Sequence, residues 1–241
     1  MKYIKPVSFR FYFEDKAKLA ILESTAFIKW VEEYYSVDQW IDAWGENTVS
    51  INEVSIRNYI FKTAKSQGEP ILDDHKQIIE SLCAVWSLGS SLDYAQRIGV
   101  TVSVGSKSHF LPDSICLELA TGIPFPSQEF VRDTIVKLDA VRFCIEDYQF
   151  KDVLKSIGIV YPKLPQQISR RPLHLFWQNY FNTEIIDLLG GMEHCLQTPA
   201  YSVESFHKGL FIQITEEPFQ PGNEEQLHAL LAAMKHLKIP Q

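Results

Sequence analysis

The stretch VSFRFYFE (residues 7–14) decides the fold class. Phe9, Phe11 and Phe13 share one face if the chain is extended, and Ser8, Arg10, Tyr12 and Glu14 share the other, which is the period of a half-buried strand. Three more runs of strand formers follow between Gly, Ser or Pro: SLCAVWSLGSS (81–91), VTVSVGS (100–106) and SICLELATG (114–122). LFIQI (210–214) is a further strand. Helical spacing links Ala20, Phe27, Trp30, Val31 and Tyr34, and IRNYIFKTAKS (56–66) also reads as helix. Ser127 is placed to cap a helix carrying Phe130, Val131, Ile135 and Leu138. Thr183 is placed to cap a short helix that Gly190 or Gly191 stops. Asn223 with Gln226 resembles a capping box, opening a last helix with Leu227, Leu230, Leu231, Met234 and Leu237 on one stripe. Strands and helices mix without a regular βα repeat. The pattern predicts an α+β fold, with mostly antiparallel sheet covered by helices, in one compact domain over residues 1–241. The proline-rich stretch 161–172 is the one linker-like segment.

Composition narrows the class of function. The 241 residues carry 23 basic and 30 acidic side chains, a net charge of −7 that disfavours nonspecific nucleic-acid binding. No apolar run approaches the ~18 residues of a membrane span, and the N-terminus lacks the apolar core of a signal peptide. Cys83, Cys116, Cys144 and Cys195 are widely spaced, mostly within apolar runs, so buried free thiols are expected rather than a disulfide framework or zinc site. These features together predict a cytoplasmic protein.

Catalytic patterns are absent from the sequence: no nucleophile elbow, phosphate loop, metalloprotease helix or dinucleotide fingerprint occurs. Ser205 and Lys208 match SxxK without the partner motifs of that enzyme class. Asp73, Asp74 and His75 read either as a metal or acid/base cluster or, more simply, as the solvated start of a helix at KQIIES. His228 and His236 stand eight residues apart, too far for one metal, and His194 beside Cys195 reads as structure.

Charge is segregated along the chain. Glu32, Glu33, Asp38, Asp42, Glu46 and Glu53 lie between Lys29 and Arg57 with no cation among them, and Glu216, Glu217, Glu224 and Glu225 lie likewise between Lys208 and Lys235. Residues 151–171 carry a net +4. The acidic stretches are either ordinary solvated surface or faces that meet a basic partner. If residues 38–46 are helical, Asp38, Asp42 and Glu46 line one side and Trp40 and Trp44 form a separate stripe. Those tryptophans are then either interface anchors or core.

Trp177 and Phe181 are expected in the core. Asn179 and Gln213 sit within apolar runs, and if buried they require full hydrogen-bond satisfaction, which would make them architectural determinants. These residues also carry a resemblance. SFRFYFED, LHLFWQNYFNTEIIDLLGG (173–191) and KGLFIQITEEPF (208–219) resemble the bacterial type VI secretion immunity family, formerly a domain of unknown function. They are also similar to related immunity families found beside polymorphic toxins. The matching positions are Trp177, Asn179, Tyr180, Phe181, Leu189, Gly190, Gly191, Gly209, Leu210, Ile212 and Gln213, with Lys208 where a second glycine is expected.

The resemblance implies a cytoplasmic, non-enzymatic protein that binds and neutralises a cognate effector toxin encoded nearby, a nuclease being one option. It implies no cofactor, metal, nucleic acid or membrane partner. The contact surface would then draw on Glu32, Glu33, Asp38, Asp42 and Glu46, or on Glu216, Glu217, Glu224 and Glu225. The alternatives are a small-molecule enzyme with a polar site at Asp73, Asp74 and His75 or at Ser205 and Lys208, and a non-catalytic secretion adaptor.

Overall fold

The computed structural model describes residues 7–13, 20–42, 44–66, 84–93, 96–104, 113–120, 122–147, 154–155, 172 and 174–239. Their strands form one antiparallel sheet of nine, in the order β2-β3-β4-β5-β1-β6-β7-β9-β8. These are β1 (Val7–Phe13), β2 (Ile41–Asp42), β3 (Ala84–Gly89), β4 (Ile98–Val104), β5 (Asp113–Leu119), β6 (Arg142–Asp147), β7 (Gln178–Asn182), β8 (Ser202–Phe206) and β9 (Gly209–Gln213). The described helices are α1 (Ala20–Tyr35), α2 (Glu53–Ser66), α3 (Gln128–Lys137), α4 (Thr183–Leu188), α5 (Met192–Leu196) and α6 (Glu224–His236). Among the described residues no helix is long and apolar enough to cross a membrane.

The alternation in 7–14 places β1 at the centre, paired with β5 and β6. Phe9 and Phe11 point into the larger core with Leu117, Ile115, Val100, Val102, Trp86, Leu88, Phe143 and Ile145 from neighbouring strands. Helices α1, α2 and α3 cover this face through Phe27, Ile28 and Val31, Ile56 and Ile60, and Phe130, Val131 and Ile135. Beyond β6 the opposite face is also covered. Phe181, Leu210 and Ile212 pack there against Ile185 and Ile186 of α4, Cys195 of α5, and Leu230, Ala233 and Met234 of α6. β7 therefore contributes Tyr180 to one core and Phe181 to the other. One sheet carries helices on opposite faces of its two halves.

The expected caps are largely present. Ser127 Oγ accepts from Phe130 N at 3.1 Å, and Asn223 Oδ1 accepts from Gln226 N at 3.1 Å. Two details differ. Asn182, one residue before Thr183, caps α4 by accepting from Ile185 N. Gln226 does not complete a capping box: its amide accepts from Gln220 N at 2.7 Å and donates to Pro218 O at 3.1 Å, pinning the preceding turn. After α4, Gly190 (φ +115°) turns the chain where an added Cβ would stand 2.7 Å from the His194 ring. The helix that the spacing of Asp38, Asp42 and Glu46 would allow is not formed among the described residues of 38–46. Ser36 (φ +53°) ends α1, Trp40 is buried at 1% exposure, and Ile41–Asp42 form the two-residue edge strand β2 against β3.

Candidate partner-binding surface

At one end of the sheet, the C-terminus of α1 meets the connection between β5 and α3. Tyr34 Oη accepts from Ser127 N at 2.8 Å, and Tyr35 Oη donates to Pro124 O at 3.1 Å. Burial holds the Tyr35 phenol above its ordinary range, so it stays a donor. Trp30 stacks on Phe130 with centroids 4.0 Å apart and lies under Lys137 Nζ at 3.8 Å, fixing α1 to α3.

Gln128, the first residue of α3, carries this contact across to β9 by donating to Gln213 Oε1 at 3.3 Å. Gln178 of β7 donates to the same oxygen at 3.1 Å. Gln213 Nε2 donates to Thr215 O at 3.0 Å and Glu216 O at 2.9 Å, so the expectation of a fully satisfied buried amide holds. Asn179 is satisfied as well, accepting from Phe176 N at 3.0 Å and donating to Phe176 O at 2.7 Å. Trp177 Nε1 donates to Thr215 O at 2.8 Å, and Tyr201 Oη donates to Glu216 Oε1 at 3.1 Å.

This chain of contacts links several of the expected acids. Glu32 and Glu33 stand in the last turns of α1, whose final turn holds no basic residue. Carboxylates at a helix C-terminus oppose the helix dipole, typically by about 0.3–1 kcal/mol each, so their placement does not serve α1. Asp38 is exposed in the segment after α1. Glu216 and Glu217 are exposed just past β9, and Glu224 and Glu225 are exposed in the first turn of α6, tied to that turn by Gln226. Glu129 adds an exposed acid the sequence reading had not singled out. Exposed aromatic side chains interleave with them: Tyr34 at 42%, Phe125 at 37% and Tyr201 at 58%.

Asp42 and Glu46 do not join this surface. They lie by edge strand β2, at the opposite limit of the sheet from β8 and β9. Asp42 is 4% exposed, which corrects its expected place on a contact face. Its carboxylate organises the 42–47 loop, accepting from Glu46 N at 2.9 Å and Asn47 Nδ2 at 2.6 Å. Burial alone would raise this carboxyl, but the hydrogen bonds from Asn47 and the backbone of Glu46 outweigh it and hold it below its ordinary value. Trp44 is exposed beside it, with Lys62 Nζ 4.9 Å from its ring.

Between α3 and β7 the acidic end opens into a cleft of about 230 Å³. Phe9 and Ile145 form its floor, Phe125 and Trp177 its wall, and the amides of Gln128, Gln178 and Gln213 line one side. Phe125 stands edge-on to Phe9 at 5.3 Å and tilted against Trp177 at 6.1 Å. The cleft escaped sequence reading because its polar groups are neutral amides from three distant positions, a pattern with no motif spacing.

The other expected chemistry disperses. Asp73, Asp74, His75 and Cys83 lie outside the described residues. Lys208 Nζ binds Asp139 Oδ1 at 2.8 Å, joined there by His207 Nε2 at 3.2 Å, while Ser205 pairs with Leu210 in the β8–β9 hairpin. His194 and His236 stack at 4.2 Å, and each Nε2 donates to the other's backbone carbonyl, at 3.0 and 2.9 Å, clamping α5 to α6. Cys116, Cys144 and Cys195 are buried and in no disulfide, as expected.

On the face opposite the large core, Glu118, Ser8 and Glu146 stand in register across β5, β1 and β6, with Cys116, Arg10 and Cys144 in a second row. Arg10 lies 4.0 Å from Glu146. Burial pushes the Glu118 carboxyl up, opposed by Arg97 and Arg10, and pushes the Cys116 thiol up to about 11, which keeps it protonated at neutral pH.

The sequence matches no protein-family profile and no curated protein. Among solved structures, the fold is similar to that of a T6SS protein of Pseudomonas aeruginosa, at 14% identity and a TM-score of 0.55, over 99% of this chain and 74% of that one. At that identity the likeness establishes a shared fold.

Proposed function

We propose that this protein is an immunity protein of a type VI secretion system, which neutralises a cognate effector in the cytoplasm by occupying it one for one, without turnover. The observation that carries the reading is the fold likeness to a T6SS protein, which runs almost the full length of this chain. The acidic, aromatic end of the sheet supports it. Exposed aromatics among carboxylates supply anchors with a charged rim, the composition of a protein-binding surface. Glu32, Glu33, Asp38, Glu216, Glu217, Glu224 and Glu225 form the acidic part of that surface.

The test is co-expression with the product of the adjacent gene. The two proteins should co-elute as a complex of fixed stoichiometry, the cells should survive, and affinity should fall as salt rises. Absence of a complex, or protection by a small fraction of an equivalent, refutes the reading. Binding that ignores salt refutes its electrostatic part.

A further inference from the structure

We infer that the cleft between α3 and β7 is a receptor for an arginine side chain presented by a protein partner. This rests on the binding function proposed above and assigns to that surface the chemistry it recognises. The argument begins with Gln213. Its Nε2 is committed to two backbone carbonyls, Thr215 O and Glu216 O, so its Oε1 must face the other way. Gln128 and Gln178 both donate Nε2 to that oxygen. Their orientation is thereby set, and their own Oε1 atoms have no donor among the described residues.

Each of these two amides keeps a further N–H beside its Oε1, so the cleft offers two acceptors to a donating side chain, and the exposed carboxylates around it select a cation. The floor and wall are apolar and aromatic, so it must also carry an apolar stem. Arginine meets both conditions. Its guanidinium carries five donors, is more weakly hydrated than an ammonium and stacks on aromatic rings such as Trp177 and Phe125. Neutral amides rather than carboxylates at the contact favour this soft, planar cation over lysine. The surrounding charge points the same way, with Glu129, Glu216 and Glu217 exposed nearby. The cation four residues along α3, Arg132, is engaged by Glu204. The positive end of α3 is offset by the Ser127 cap and by Glu129 in the first turn.

The test uses the intact chain and N-acetyl-L-arginine amide, with the corresponding lysine and glutamine amides as controls, followed by NMR. Arginine amide should shift the indole N–H of Trp177 and the side-chain amides of Gln128 and Gln178 saturably in the millimolar range, and lysine amide should bind about five-fold more weakly or less. Gln128 is exposed, so Gln128→Leu should keep the fold while weakening arginine amide about three-fold or more. Phe125→Ala, which removes part of the wall, should weaken it as well. Equal response to lysine, shifts centred elsewhere, or a folded Gln128→Leu protein that binds arginine amide like the parent overturns the inference. The probe requires no effector, so it reads the cleft even if no toxin complex forms. Conversely, an effector complex whose affinity is untouched by both variants leaves the immunity function standing and removes this one.

Discussion

Replacing Gly209 by alanine isolates the close approach of β9 to β7. An added Cβ would stand 1.9 Å from the carbonyl oxygen of Phe181 and 2.9 Å from the Asn182 Cα, both backbone atoms. Real Cβ contacts do not fall below 3.0 Å, so the two strands must separate locally by about 1.1 Å. Gly209 pairs with Asn182, and Thr183 N donates to Lys208 O at 3.0 Å, so separation stretches the last ladder bonds beyond useful length. Phe181 and Leu210, both 0% exposed, would lose contact with their neighbours. Two lost bonds at about 1 kcal/mol each and a strained core edge give about 3 kcal/mol of destabilisation. For a chain of this size that lowers the melting temperature by about 6–12 °C. Urea and thermal denaturation followed by circular dichroism would measure it. Gly222→Ala is the matched control: its φ of +86° strains an alanine, but nothing stands within 4 Å of the new Cβ, so about 1 kcal/mol is expected. Equal losses for the two variants, or a Gly209→Ala loss under about 1 kcal/mol, would refute the steric argument.

Asn179→Leu should cost about 2 kcal/mol or more in urea denaturation, since it removes the two buried hydrogen bonds that the Asn179 amide makes with the N–H and the carbonyl of Phe176. Cys116 and Cys195, each pushed up to about 11 chiefly by burial, should resist iodoacetamide at pH 8 in the native protein and react once it is unfolded, as peptide mass mapping would show. The Asp42 carboxyl is held low in the folded state, so its contribution is present above the unfolded carboxylate range and fades as pH falls through the lowered value. Asp42→Asn should therefore flatten the acid limb of a stability-against-pH curve below about pH 4, and an unchanged limb would count against that role.

Elements whose logic is local could be read directly. Phe9 and Phe11 alternate because β1 presents a single apolar face to α1–α3, and Ser127 and Asn223 cap because a short polar side chain before an apolar run has few other uses. The demand that Asn179 and Gln213 be satisfied also held, because a buried amide leaves no alternative. Reading failed where spacing was ambiguous. The four-residue interval of Asp38, Asp42 and Glu46 fits a helix, but it equally fits a strand end whose carboxylate folds back on residues 46 and 47, and Ser36 with its positive φ selects the second. That Glu32 and Glu33 share one sheet end with Glu216 and Glu217 depends on strand order, which sets β9 beside β7 and within reach of α3 through Gln213 and Gln128. No interval along the chain encodes that.

The exchange of covered faces at β7 has a mechanical corollary. Neither half can be peeled away intact, because removing β7 to β9 would strip Tyr180 and Phe211 from the first core and bare the long edge of β6. A gene split before residue 174 should accordingly yield two sticky fragments rather than two folded ones. The molecule should melt in a single cooperative step, and a body of that kind keeps its outline when pressed against another protein.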